Sequence, residues 1–189
     1  MRHLFDSVAS LGDITARWSA AGFKYADWNL CASSDKVVRL HWTNFLLWHQ
    51  EDICRGGDET KIVAAKRNID KYNQIRCDHV EAIDVVVVDS QPVHSIGQYN
   101  SETVGSIIDR ISVTELKVYH TGLLVTDGKT ALNDRLQLLI NQRAFLTDCL
   151  GTLTDEMAIG KRRIMLFKQL KMYNDPTTNA MHRDNEVKS

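Results

Sequence analysis

Only two prolines punctuate the 189 residues of this chain, and glycine is sparse at ten. Proline removes a backbone N–H and clashes with the preceding turn, so its scarcity leaves long stretches free to be helical. Charge of one sign is lacking too. The formal net charge is −1, which argues against a global basic field for nucleic acid or an anionic membrane. No run approaches the roughly 18 consecutive apolar residues of a membrane span. The opening MRHLFDSVASLGD carries acids where a secretory signal needs an apolar core. The four cysteines, Cys31, Cys54, Cys77 and Cys149, form no C-x-x-C pair, so neither a zinc knuckle nor a redox motif is expected. They read as reduced, mostly buried thiols of a soluble cytoplasmic protein. A Gly-rich phosphate loop, a G-x-S-x-G elbow and an H-E-x-x-H pair are all missing.

What is present is 43% hydrophobic and 25% charged, enough for one sizeable core. Helical spacing predicts an all-α fold, a bundle of about five main helices in a single domain over 1–176, with a loose tail over 177–189. The expected helices cover 4–22 (weakened at Gly12), 34–55 with Ser34 or Asp35 as N-cap, and 58–89 with Asp58 or Thr60 as N-cap. A fourth is expected from Ser101 to Thr126. A long fifth region runs from Thr130 to Tyr173, with Gly151 or Gly160 as break points. RGGDET and DGK are turns, and SQPVHSIGQYNSE is a loop around Pro92. VVVV at 85–88 and GLLVT at 122–126 look strand-like but continue helical patterns.

The stretch HWTNFLLWHQEDICR at 41–55 carries the first functional signal. At about 100° per residue, Leu40, Leu47 and Cys54 fall on one flank and Trp42, Leu46 and Ile53 on the other. His41, Asn44, Trp48, Glu51, Asp52 and Arg55 run between them. A helix apolar on two flanks is buried on both, so this polar stripe faces inward or into a cleft. The next helix places Arg76 within its core stripe of Ile62, Ala65, Ile69, Tyr72, Val80, Ile83 and Val87. A guanidinium there keeps its proton and must meet an acid or an anionic ligand, and Asp52 or Glu51 is an available partner. Asn73 and Gln74 adjoin it. On the fourth helix Asp109 and His120 share a face, with Arg110 and Lys117 on the neighbouring one. Lys161, Arg162, Arg163, Lys168 and Lys171 make the end of the fifth region basic, as suits a helix C-terminus.

The segments NFLLWHQED, KRNIDKYNQIRCDHVEAID, GSIIDRISVTELKVYH and KMYNDP, in that order from about Trp28 to Pro176, resemble a bacterial helical family, domain of unknown function four-two-five-four. The resemblance places Asn44, His49, Glu51, Asp52, Arg55, Asn73, Gln74, Arg76, Asp78, Asp109, Arg110, Lys117, Tyr173, Asn174 and Asp175 within family motifs. Cys77 departs from an Asn expected before Asp78. Family members are often encoded near surface-polysaccharide glycosyltransferases, which is context and not mechanism.

The residues point to a transferase acting on an anionic, phosphorylated or nucleotide-linked substrate, with a glycan or a modified nucleobase as acceptor. Arg55, Arg76, Arg110 and Lys117 would hold the anion. His49 or Asp52, with Glu51 beside them, would supply the general base. His41, Asn44, Asn73, Gln74, Asp109 and His120 would complete the substrate-binding set. No cofactor, metal or membrane span is expected. One alternative is a Mg²⁺-dependent hydrolase of the helical nucleotide pyrophosphatase kind, using Glu51, Asp52, Asp78, Glu81 and Asp84. Another is a non-enzymatic interaction module.

Overall fold

Three of the four long helices begin where a short polar side chain takes over an orphaned backbone N–H. In the computed structural model, which describes residues 2–22, 33–56, 58–90 and 97–168, Asp35 Oδ1 accepts from the Val37 N–H at 2.8 Å. It starts α3 (Lys36–Gly56), and its other oxygen receives the Ser7 hydroxyl, tying α1 (Arg2–Ala9) to that helix end. Asp58 accepts from the Lys61 N–H at 2.9 Å and starts α4 (Glu59–Asp89). Thr103 and Ser106 form a reciprocal capping box at the head of α5 (Val104–Thr126). The DGK turn and a 3-10 turn at Thr130–Leu132 lead into α6 (Asn133–Ala158). The expected all-α class and the helical reading of VVVV and GLLVT hold.

The break expected at Gly160 is present, and α5 begins at Val104 behind its Thr103 cap rather than at Ser101. The first helical stretch is two helices, α1 and α2 (Leu11–Ala20), separated at Ser10 rather than merely weakened at Gly12. The fifth region stops at Ala158, because Gly160 takes a φ of 74°, a left-handed conformation that glycine adopts without a Cβ clash. The basic run after it is therefore not a helix end. Residues Arg162–Ile164 form β2, paired in parallel with β1 (Gln98–Asn100) in register Gln98 to Arg162. This clip joins the approach to α5 to the exit from α6. Lys161 and Arg162 both pair with Glu156, and the Arg163 guanidinium sits 3.9 Å from the Tyr99 ring centre. Residues 91–96 of the expected Pro92 loop, Cys31, Lys171, the Tyr173–Asp175 motif and the expected tail lie outside the described residues, while residues 98–100 of that loop form β1.

Helices α3 to α6 make an up-down-up-down bundle. The core that joins Val37 and Leu40 at the start of α3 also holds Ile83 and Val87 from the end of α4, so these helices are antiparallel, as RGGDET implied. The same core takes Val104, Ile107, Ile108 and Ile111 from the start of α5, and Leu146, Leu150, Leu153 and Met157 from the later half of α6. A second cluster packs Trp42, Phe45, Leu46 and Leu47 against Ile69, Tyr72 and Leu116. Helices α1 and α2 lie across α3 and α5. Helix α5 is the common neighbour of all the others, and its polar residues are therefore the ones most constrained.

Helices α4 and α5 approach closely at Gly105. Its N–H donates to Asp84 Oδ1 at 2.6 Å, so an acid of α4 caps the first turn of α5. Burial raises the Asp84 pKa, against the lowering effects of hydrogen bonds from Thr103 and Gly105. A Cβ at position 105 would stand 2.5 Å from the Val80 carbonyl oxygen and 3.0 Å from Asp84 Oδ1. The carbonyl is helix backbone and cannot rotate away. Gly105→Ala is expected to lower stability by about 1–3 kcal/mol through forced separation of the two helices, measured by urea unfolding. A variant as stable as the parent would show that the helices part at little cost.

Candidate functional site

A buried chain of hydrogen bonds crosses the bundle, and each proton in it can be assigned. Thr15 on α2 donates its hydroxyl to the Leu11 carbonyl at 2.9 Å, so its oxygen accepts from His41 Nε2 at 2.7 Å. That tautomer leaves His41 Nδ1 as an acceptor for the Ser112 hydroxyl at 2.8 Å. Ser112 Oγ in turn accepts from Asn44 Nδ2 at 2.9 Å, and the same amide nitrogen donates to Asp109 Oδ1 at 2.9 Å. Asp109 finally receives Arg76, with Nε 2.9 Å from Oδ1 and Nη2 2.6 Å from Oδ2. Burial works against the Arg76 charge, but the hydrogen bond and charge of Asp109 outweigh it and hold the guanidinium above its ordinary range. His41, Asn44 and Ser112 are buried, and Asn44 Oδ1 has no hydrogen-bond partner among the described residues, a mismatch that costs about 1–3 kcal/mol.

Arg76 is the chain's outer end. Its side chain is 36% exposed against 10% for Asp109, and both line a cavity of about 450 Å³. The floor is α5, from which Arg110, Val113, Thr114 and Lys117 project at spacings of three and four residues, one face of a helix. Arg76 of α4 forms one wall. Gln142, Phe145 and Leu146 of α6 form the other. Arg110 has an exposed pair with Glu102, a contact weak enough to exchange for a ligand oxygen. Lys117 is exposed and has no ion-pair or hydrogen-bond partner among the described residues. Three cations thus converge on one hollow with a single carboxylate, Asp109, already committed.

The other sequence candidates divide. Asp109 was expected to meet substrate, and Asp52 or Glu51 to be the partner of Arg76. Instead Asp109 is that partner, since the antiparallel α4–α5 pairing brings position 76 beside 109. His41 and Asn44 are buried in the chain and do not line the cavity. Arg55 is exposed at the end of α3 and bonds Asp52 at 3.1 Å, away from the cavity lining. Gln74 donates to Asp78 at 2.9 Å; Asn73 and Glu51 are half-buried, and none of the three lines the cavity. His49 packs edge-on against Phe45 and 6.3 Å from the His120 ring, which stacks on Trp48 at 4.6 Å. Burial lowers both imidazole pKa values, helped at His120 by His49 and opposed at each by the Asp52 charge. Among the described residues no three His, Cys, Asp or Glu side chains converge as a metal site would require.

Sequence reasoning did not single out Thr15, Ser112, Thr114, Gln142 or Phe145. Ser112 carried a signal, since it lies three residues beyond Asp109 on the face turned to α3. Phe145 follows an apolar spacing that reads as core, yet it is 65% exposed, just ahead of the buried positions of α6, which begin at Leu146.

Burial depresses the His41 pKa to about 3, against a raising hydrogen bond to Leu11. The unfolded chain titrates near 6.5, so between about pH 6.5 and 3 it binds the proton that the folded state refuses. Stability should fall as pH drops through that window, by up to about 1.4 kcal/mol per pH unit for this group. Urea melts between pH 7 and 5 should show a shallower slope in His41→Gln than in the parent. Equal slopes would place the acid sensitivity elsewhere.

No helix among the described residues is long and apolar enough to cross a membrane. Neither the curated proteins nor the solved structures include a significant match to the chain. One family model does match, over residues 34–166, a span that begins at the cap of α3, ends just beyond β2 and contains the whole cavity and all of its buried support except Leu11 and Thr15. The chain belongs to the family described as protein of unknown function (DUF4254).

Proposed function

We propose that this protein is a transferase that binds a phosphorylated or nucleotide-linked substrate in the trough over α5, with a glycan or a modified nucleobase as acceptor. The observation that carries the reading is the convergence of Arg76, Arg110 and Lys117 on one cavity of about 450 Å³. Guanidinium forks match the paired oxygens of a phosphate, and an ammonium supplies a mobile point charge beside them. Arg76 is already oriented by Asp109, so little side-chain freedom is lost when an anion arrives.

Proton transfer in this reading falls to His120 and His49. His120 stands three residues beyond Lys117 on α5, an axial rise of about 4.5 Å, and stacks on Trp48 of α3 beyond the residues that line the cavity. Both imidazoles are held neutral at pH 7 by burial, the form that accepts a proton. The hydrolase alternative draws less support. Asp84 is turned into the head of α5, Asp52 bonds Arg55 and Asp78 bonds Gln74, so its acids do not face a common point.

Thermal melts with pyrophosphate and UDP test the anion site. Both ligands should raise the melting temperature of the parent, less so at high salt. Arg110→Ala and Lys117→Ala, both at exposed positions, should each weaken binding about tenfold while leaving the unliganded melt nearly unchanged. His120→Gln should keep the ligand-induced shift. Absence of any shift with either ligand would remove the basis of the proposal.

A further inference from the structure

A second cavity, of about 420 Å³, opens next along the α5–α6 seam. Phe145 lines both hollows, and the Arg110–Glu102 pair spans them, Arg110 lining the first and Glu102 the second. On α6 the first is lined by residues 142–146, whereas the second extends down to Glu156. The offset is six to seven residues, so the two centres stand about 10 Å apart along the helix.

The electrostatics of the two differ. In the second cavity Glu102 is neutralised by Arg110, and Glu156 by Lys161 and Arg162. Asp148 has no ion-pair partner among the described residues, but Glu156 meets two cations, so three acids and three cations leave this hollow close to neutral, whereas Arg76, Arg110 and Lys117 outnumber Asp109 in the first. Its hydrogen-bonding groups are mixed. Asn100 spends its Nδ2 on the Glu102 carbonyl at 2.7 Å and keeps its amide oxygen as an acceptor. Asp148 accepts, Thr152 both donates and accepts, and the exposed ring of Phe145 offers an apolar face. Acceptors for several hydroxyls beside one aromatic face suit a neutral polyhydroxylated ring, whose C–H surface packs on the phenyl group.

Resting on the anion site proposed above, we infer that the second cavity is a sugar subsite and that the substrate is a sugar carried on a diphosphate. The diphosphate lies with Arg76, Arg110 and Lys117. The sugar passes Phe145 to reach Asp148, Thr152 and Asn100. The spacing of the cavities is longer than one phosphoester linkage and suits a diphosphate bridge. The orientation follows from the excess of positive charge in the first hollow, which holds the diphosphate, beside a second hollow whose acids and cations balance.

Calorimetric titration of the full chain with pyrophosphate, UDP, UDP-glucose, UDP-galactose and UDP-N-acetylglucosamine separates the two readings. At least one sugar nucleotide should bind about tenfold more tightly than UDP. That gap should close to within about threefold in Asp148→Ala/Thr152→Val, whose UDP affinity stays that of the parent, and also in Phe145→Ala. If pyrophosphate and UDP bind but no sugar nucleotide exceeds UDP, the sugar subsite is wrong and the anion site stands. The sugar subsite is equally wrong if the gap survives in both variants. It is wrong too if UDP outbinds pyrophosphate by an amount that Phe145→Ala abolishes, which would put the nucleobase there. If neither pyrophosphate nor UDP binds the parent, the anion site itself fails.

Discussion

The Arg76 guanidinium cannot shed its proton, and the consequences of that spread through the bundle. A charge placed between packed helices must be met by another, and here Asp109 meets it through both carboxylate oxygens. The carboxylate then needs further donors, which brings in Asn44, and through Ser112 the imidazole of His41 and the hydroxyl of Thr15. Four helices, α2 to α5, are held in register by this one sequence of donors and acceptors. A core of Leu and Ile alone would tolerate sliding between helices; a chain in which each proton has a single place does not.

The same chain explains why the cavity is rigid on one side and adaptable on the other. Arg76 is anchored from within, whereas Arg110 and Lys117 are exposed and hold at most a weak surface pair. The wall from α6 is different again. Its early half has no buried residue before Leu146, and Arg143 secures it through two hydrogen bonds of 3.0 Å to Glu115 on α5. The buried Glu115 carboxylate also lies where a side chain at Gly12 would clash, so α2 approaches α5 closely at that point. A guanidinium fixed by Asp109 thus faces two cations on the exposed face of α5.

Division of labour along α5 follows from its central position. Its face toward α3 and α4 carries Asp109, Ser112 and Leu116, which are satisfied internally. Its outward face carries Arg110, Thr114 and Lys117, which line the cavity. His120, further along, sits with Trp48 and His49 in an aromatic cluster whose partial burial keeps both imidazoles uncharged at neutral pH. Arg110 and Lys117, which line the cavity, are thereby set apart along α5 from the imidazole of His120.

Much of the architecture was legible in the chain alone. Low proline content, Asp58 and Asp35 as caps, and the apolar stripe of α4 are local features, so the helices, their order and the α3–α4 hairpin follow from spacing and turn chemistry. The grouping of Arg110 with Lys117 was legible too, because seven residues are two turns of one helix. What local patterns could not decide is which acid answers Arg76. Asp52, Glu51 and Asp109 are equivalent in sequence, and only the antiparallel packing of α4 on α5 brings Asp109 within 3 Å. The same holds for the inward polar stripe of α3. His41 and Asn44 proved internal and Arg55 external because the neighbours of a helix face, set by contacts more than 60 residues away in the chain, determine whether a polar group meets protein, ligand or water.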